Sequence, residues 1–194
     1  MEHLVESIIR LDQKLFFLLN GAHCEFLDTV MKVLSAIPVW IPLYLMIAGG
    51  FFMILPRRQA LLATGGILLT FLLTDQVSSS LIKNWVQRPR PSHIPEWEGT
   101  FRLLEGKGGL YSFVSSHASN VFGLACFTSL IYRRKWFTIP IVTWAILVSY
   151  SRIYVGKHFP LDVICGALTG LLLGWAVYRL YKWIITKTVT KCAA

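Results

Sequence analysis

Residues 161–183 read LDVICGALTGLLLGWAVYRLYKW, with charge only at Asp162, Arg179 and Lys182. A helix rises ~1.5 Å per residue, so ~20 such residues cross the hydrocarbon core of a bilayer. Inside lipid the backbone must satisfy its own polar groups, which makes this stretch a membrane helix. Four more apolar stretches precede it: Pro38 to Leu55, Ala60 to Lys83, His117 to Tyr132, and Phe137 to Arg152. The third and fourth are short, so they cross with little tilt or extend past these bounds. The composition agrees: 55% of residues are apolar, 15% are charged, and mean hydropathy is +0.57. A soluble chain of 194 residues needs more polar surface than that. The predicted fold is all-α, a membrane helical bundle.

The N-terminal region differs. Leu4, Ile8, Leu11, Leu15 and Leu18 fall on one helical stripe, widened by Val5, Ile9, Phe16 and Leu19, while Glu6, Arg10, Gln13 and Lys14 lie largely off it. Such a helix suits the membrane interface. Its charges, with Glu2 and Asp12, leave no continuous apolar core of the signal-peptide kind. Phe26 to Ala36 reads as a further half-span, which leaves five or six crossings. Two regions follow: an interfacial segment, 1–36, and a membrane domain, 37–194, carrying a long loop, 88–116. Gly166, Gly170 and Gly174 admit a close helix neighbour, either a second copy in a homodimer or, the reading favoured here, a helix of the same bundle.

Nineteen Lys and Arg against ten Asp and Glu give a net charge of +9. Most basic residues end apolar runs, so lipid head groups or an anionic substrate explain the excess better than nucleic acid. Arg57–Arg58, Arg133–Arg134–Lys135, and Lys182, Lys187 and Lys191 share one side under alternating topology. The positive-inside rule makes that side cytoplasmic in a plasma-membrane protein, with the C-terminus there. The loop 88–116 and the junction from Arg152 to Pro160 then face the periplasm or exterior. The four cysteines, Cys24, Cys126, Cys165 and Cys192, show no disulfide or zinc spacing.

Three polar clusters meet on that outer face: Lys83 to Pro91, Val114 to His117, and Ser151 to Asp162. Each member has a bland reading alone: Lys83 and Arg90 as snorkelling anchors, Arg152 as a boundary charge, His158 and Asp162 as a structural pair. Together, Lys83, Arg90 and Arg152 repel one another unless an anion sits among them, and a phosphate fits. Backbone N–H groups near Ser115 and Ser116, at a helix start, add donors. Asp162, four residues beyond His158, can orient its ring and leave Nε2 nucleophilic, while His117 can supply a proton to a leaving oxygen.

These clusters resemble the three signature motifs of the type 2 phosphatidic acid phosphatase superfamily of membrane lipid phosphatases. Its first motif, Lys, six residues, Arg-Pro, is matched by Lys83 to Arg90-Pro91; Arg88-Pro89 offers the same dipeptide at the wrong spacing. Its second, Pro-Ser-Gly-His, is matched by Val114-Ser115-Ser116-His117, with Val for Pro and Ser for Gly. Its third, Ser-Arg, five residues, His, three residues, Asp, is matched in full from Ser151 to Asp162. The resemblance covers roughly Ala60 to Trp183 and draws nothing from the N-terminal third. It implies a phosphohistidine on His158 with Asp162 as its partner, His117 as acid and then base, and a phosphate held by Lys83, Arg90, Arg152, Ser115 and the Ser116 amide. It also implies that no metal or cofactor is needed. Asp75, His93, Glu96 and Glu98 carry less weight. Substrates of similar proteins include undecaprenyl diphosphate, which compactness favours slightly, phosphatidylglycerophosphate, phosphatidic acid and lipid A phosphates. The rivals are a transporter or non-catalytic lipid-phosphate binder, and a hydrolase with His117, His158 and Asp162 as metal ligands.

Overall fold

The computed structural model describes the backbone of residues 2–192 and the side chains of residues 3–187; the side chains of Lys191 and Cys192 lie outside the described residues. The elements are α1 (Glu2–Gly21), α2 (Glu25–Ser35), a 3₁₀ turn (Ile37–Trp40), α3 (Ile41–Ile54), α4 (Arg57–Asp75), a π-helical stretch (Gln76–Ile82) and α5 (Lys83–Val86). After the long loop come α6 (Ser116–Tyr132), α7 (Lys135–Tyr154) and α8 (Pro160–Cys192).

Among the described residues, four continuous helical stretches are long and apolar enough to cross a membrane: Ile37–Ile54, Arg57–Val86, Lys135–Tyr154 and Pro160–Lys187. The fifth, α6, has 17 residues and spans ~26 Å at helical rise. It is the centre of the bundle, packed by α4, α7 and α8. The apolar run 26–36 becomes α2, 11 residues long. At ~16 Å it reaches only about half the hydrocarbon thickness, so it is too short to add a sixth crossing. Leu45, Met53, Leu68, Leu72, Ile139 and Leu172 point outward and are exposed. In water that would be an aggregation surface; in lipid it is the expected exterior. At the Arg133 end of the bundle, Arg179 lies over Trp175 at 5.3 Å and Lys187 over Trp183 at 4.4 Å, pairings that suit a bilayer interface.

The glycine face of α8 is spent inside the chain. A Cβ on Gly166, Gly170 or Gly174 would run into the backbone carbonyls of Ser115, Ser119 and Gly123, all on or beside α6. This close approach brings the start of α6, with His117, beside the start of α8, with Asp162. Ser115 N–H donates to the Asp162 carbonyl at 2.9 Å, tying the second motif to the third.

At the opposite end from Arg57 and Arg133, α1 and α2 lie over the tips of α7 and α8. The centre of the apolar stripe of α1 does not pack on the bundle: Leu4, Ile8, Leu11, Leu15 and Leu18 are exposed, while Asp12, Phe16 and Asn20 are buried. Phe16 joins Ala118, Ile153, Phe159 and Val163 in an apolar cluster completed by Trp97 and Phe101. The long loop folds back on itself through Arg90 N–H to Leu110 O at 3.0 Å and Ser112 N–H to Arg88 O at 2.8 Å. Its far arm crosses Gly156, where φ is +83° and a Cβ would sit 2.7 Å from the Arg102 carbonyl. Only glycine satisfies both demands.

Candidate active site

His158 is 2% exposed and ends the tight turn after α7. The turn is closed by Lys157 and His158 N–H groups donating to the Arg152 carbonyl at 3.0 and 3.2 Å. Pro160 then opens α8, fixing the approach of the chain. Asp162, in the first turn of α8, is fully buried. Its Oδ2 accepts from Phe159 N–H at 2.9 Å and lies 3.5 Å from His158 Nδ1. The Nδ1 atom completes no hydrogen bond among the described residues. The far ring atom, Nε2, is 3.5 Å from Arg90 Nη1.

The cations come from four elements. Lys83 follows the π-helical stretch, and its Nζ donates to Ser116 Oγ at 2.9 Å; Ser79 Oγ is 2.8 Å from the same oxygen. Stretches of π-helix recur at functional sites, and this one sets where Lys83 enters. Arg90 is steadied by Nε donating to Tyr111 O at 3.1 Å. Arg152, 6% exposed, donates from Nη1 to Ser35 Oγ and to Glu105 Oε2 at 3.4 Å, while its buried Nε has no partner among the described residues. Lys157 donates to the Gly106 carbonyl.

Burial holds the His158 imidazole well below its ordinary pKa, reinforced by Arg90, Arg152 and Lys83. Neutral at pH 7, it keeps a lone pair for attack. Burial also lowers the Lys157 ammonium, opposed by Glu105 and assisted by Arg152 and Arg90. His117 feels the charges of Arg152, His158 and Lys83, and its near neighbour is the Ser35 backbone. Both imidazoles therefore lie within electrostatic reach of the same cations, Arg152 and Lys83, at one end of the bundle.

The sequence-derived set thus converges, with two refinements. Ser115 Oγ caps α6 by accepting from Ala118 N–H at 3.4 Å, so its hydroxyl is partly committed. Ser116 meets Lys83 through its hydroxyl. Asp75 is exposed, accepts from Ser79 Oγ at 3.2 Å, and its charge acts on Lys83. Glu96 is exposed, Glu98 meets Lys107 at 3.4 Å, and His93 sits beside Ser92 at 3.3 Å. His117, His158 and Asp162 do not form a metal-ligating group among the described residues.

Other residues of the site were not marked by any motif. Glu105 and Ser35 bind Arg152, Lys157 faces the cation cluster, and Arg88 holds Asp162 at 2.9 Å and Asp12 at 2.7 Å. Asn20 Nδ2 donates to the carbonyls of Arg102 and Tyr154 at 2.9 and 2.8 Å. The one sequence signal for the α1 pair is the spacing of Asp12, Phe16 and Asn20, four apart on one line of the helix.

A family model described as the PAP2 superfamily matches residues 64–186, which contain all three motifs. The chain is 39% identical over 180 residues to a lipid A 4'-phosphatase of Porphyromonas gingivalis, covering 92% of this chain and 76% of that one. It is 33% identical over 168 residues to an undecaprenyl-diphosphatase of Sulfolobus acidocaldarius, covering 85% and 76%. The crystal structure of Aquifex aeolicus LpxE superposes with a TM-score of 0.70 at 27% identity, covering 87% of this chain and 95% of that one.

Proposed function

The chain belongs to the PAP2 superfamily and is a membrane lipid phosphatase; from that premise we propose that it removes a phosphate from a lipid A-type phosphoglycolipid through a phosphohistidine on His158. The observation that carries the reaction is the buried His158, whose Nε2 lies 3.5 Å from Arg90 Nη1 and whose ring feels the charges of Arg90, Arg152 and Lys83. His158 Nε2 attacks phosphorus, and the bond to the leaving alkoxide breaks as His117 protonates that oxygen. Lys83, Arg90 and Arg152 hold the three peripheral oxygens, while Asp162 supports the positive charge that develops on the ring. Water then gives its proton to His117 and attacks phosphorus, the N–P bond breaks, and inorganic phosphate leaves.

The 39% likeness across 92% of the chain favours a lipid A 4'-phosphate over the undecaprenyl diphosphate that compactness suggests. The prenyl diphosphate stays as a second reading because of the Sulfolobus relative. A lipid substrate is supported by an apolar cavity of about 380 Å³ lined by Tyr44, Leu45, Ile67, Phe71 and Asn120. Asn120 stands one turn beyond His117, and Ile37 at the same cavity lies two residues after Ser35. A lipid chain held in this cavity would remain among membrane-spanning helices, within a helical turn of His117 in sequence. The positive-inside rule puts the site on the outer side of the plasma membrane, with residues 1–36 in the interface and the C-terminus cytoplasmic.

The test is phosphate release by the purified protein from lipid A, undecaprenyl diphosphate, phosphatidylglycerophosphate and phosphatidic acid, with mass spectrometry of the lipid A product. Fastest turnover of lipid A with loss of the 4'-phosphate is expected. Turnover of the prenyl diphosphate with lipid A untouched would select the second reading, and activity lost in EDTA and restored by zinc would refute the metal-free chemistry.

A further inference from the structure

Asp12 lies on α1, 52 residues ahead of the first residue matched by the family model, 64. It is nonetheless 5% exposed and joined to the site. Its Oδ2 accepts from Arg88 Nη2 at 2.7 Å, and Arg88 Nη1 donates to Asp162 Oδ1 at 2.9 Å. Its Oδ1 accepts from Leu161 N–H at 2.8 Å, in the first turn of α8. The Arg88 guanidinium lies 3.8 Å from the centroid of the Phe159 ring, which holds its plane between the two carboxylates. Arg88 is thus the bridge from α1 to the carboxylate beside His158.

We propose that Asp12 and Arg88 are positioning residues for catalysis, a neutral pair that fixes the Asp162 carboxylate while leaving its charge available to His158. This rests on the reading that His158 is the nucleophile. The physical reason is charge balance. Arg88 alone would hold Asp162 in place but cancel it, leaving the ring without support when phosphorylation makes it cationic. Asp12 cancels Arg88 instead, so the trio of Asp12, Arg88 and Asp162 keeps one net negative charge. Removing Asp12 makes the trio neutral. Removing Arg88 leaves two carboxylates facing each other, which drives one to take a proton. Removing both restores one negative charge.

The experiment is a double-mutant cycle of Asp12→Asn and Arg88→Gln, with kcat and KM for phosphate release and thermal unfolding in detergent. Each single variant lowers kcat by about 10- to 100-fold, the usual loss when the partner of an orienting group is removed, with KM within about threefold. The double variant turns over faster than either single one. A folded Asp12→Asn protein with wild-type kcat overturns the proposal, as do losses that simply multiply in the double variant. Should Asp12→Asn not fold, Arg88→Lys carries the test: it keeps the charge but cannot grip both carboxylates in one plane. Its kcat must fall at constant KM, and an unchanged kcat overturns the proposal. His158→Ala separates the two readings. If it remains active, the nucleophile assignment has failed; if it is dead while Asp12→Asn is at wild-type kcat, only the relay has failed.

Discussion

Replacing Asp162 with Asn removes a charge from beside His158 while keeping shape and volume. The carboxylate lies 3.5 Å from Nδ1, and both residues are buried. When His158 attacks, its ring becomes cationic. A unit charge at that distance, at an effective dielectric of ~20, supplies roughly 5 kcal/mol of attraction. Arg88 sits 2.9 Å from the other carboxylate oxygen and, with its charge largely balanced by Asp12 at 2.7 Å, offsets only a small part of it, leaving about 4 kcal/mol. At 1.36 kcal/mol per decade this is about a 10³-fold loss in kcat, below the ~10⁴ found where an Asp is hydrogen-bonded to a catalytic imidazole. The assay is kcat for phosphate release in detergent micelles, with a thermal unfolding curve to show that the bundle is intact. A folded Asp162→Asn protein within threefold of wild type would refute the reasoning, because the carboxylate would then be structural.

Four other outcomes are expected. His158→Ala should abolish phosphate release and the acid-labile ³²P label that a trapped phosphohistidine carries; a variant that still turns over lipid has another nucleophile. The second concerns pH. Because the folded pKa of His158 is held well below the ordinary value, the unfolded chain binds that proton more readily. This contribution should destabilise the fold as pH drops below ~6.5 and not above it, and His158→Gln should flatten that part of the unfolding profile. Glu105→Gln should free Arg152 from its 3.4 Å carboxylate partner and strengthen inhibition by inorganic phosphate about fivefold, equivalent to ~1 kcal/mol for a partly exposed pair; an unchanged inhibition constant would mean that phosphate does not compete with Glu105. Gly170→Val should prevent α8 from touching α6 at Ser119 and lower the unfolding temperature by several degrees, whereas the same change at exposed Gly49, with open space around it, should be nearly neutral.

Periodicity and charge placement were enough to locate five long apolar helices, four of them long and apolar enough to cross a membrane among the described residues, and the sharing of one end by Lys83, Arg90, His117, Arg152, His158 and Asp162. Those facts depend on short-range rules: apolar length for a span, alternation of direction, and a four-residue step from His158 to Asp162. The choice between five and six crossings stayed open at 26–36, where the apolar run read as a half-span forms α2, too short to cross, and places Ser35 on Arg152. What the chain alone did not disclose is who stands behind the motif residues. Asp12 and Asn20 look like interruptions in an amphipathic helix, and Arg88 like a misplaced copy of Arg90. Only the folded bundle, which presses the line of Asp12, Phe16 and Asn20 against the tips of α7 and α8, turns them into the buried partners of a carboxylate and of backbone carbonyls. The physical reason is range. Spans and turns are decided by neighbours within a few residues, whereas the partner of a buried charge is decided by which distant segment supplies the opposite charge once water has been excluded.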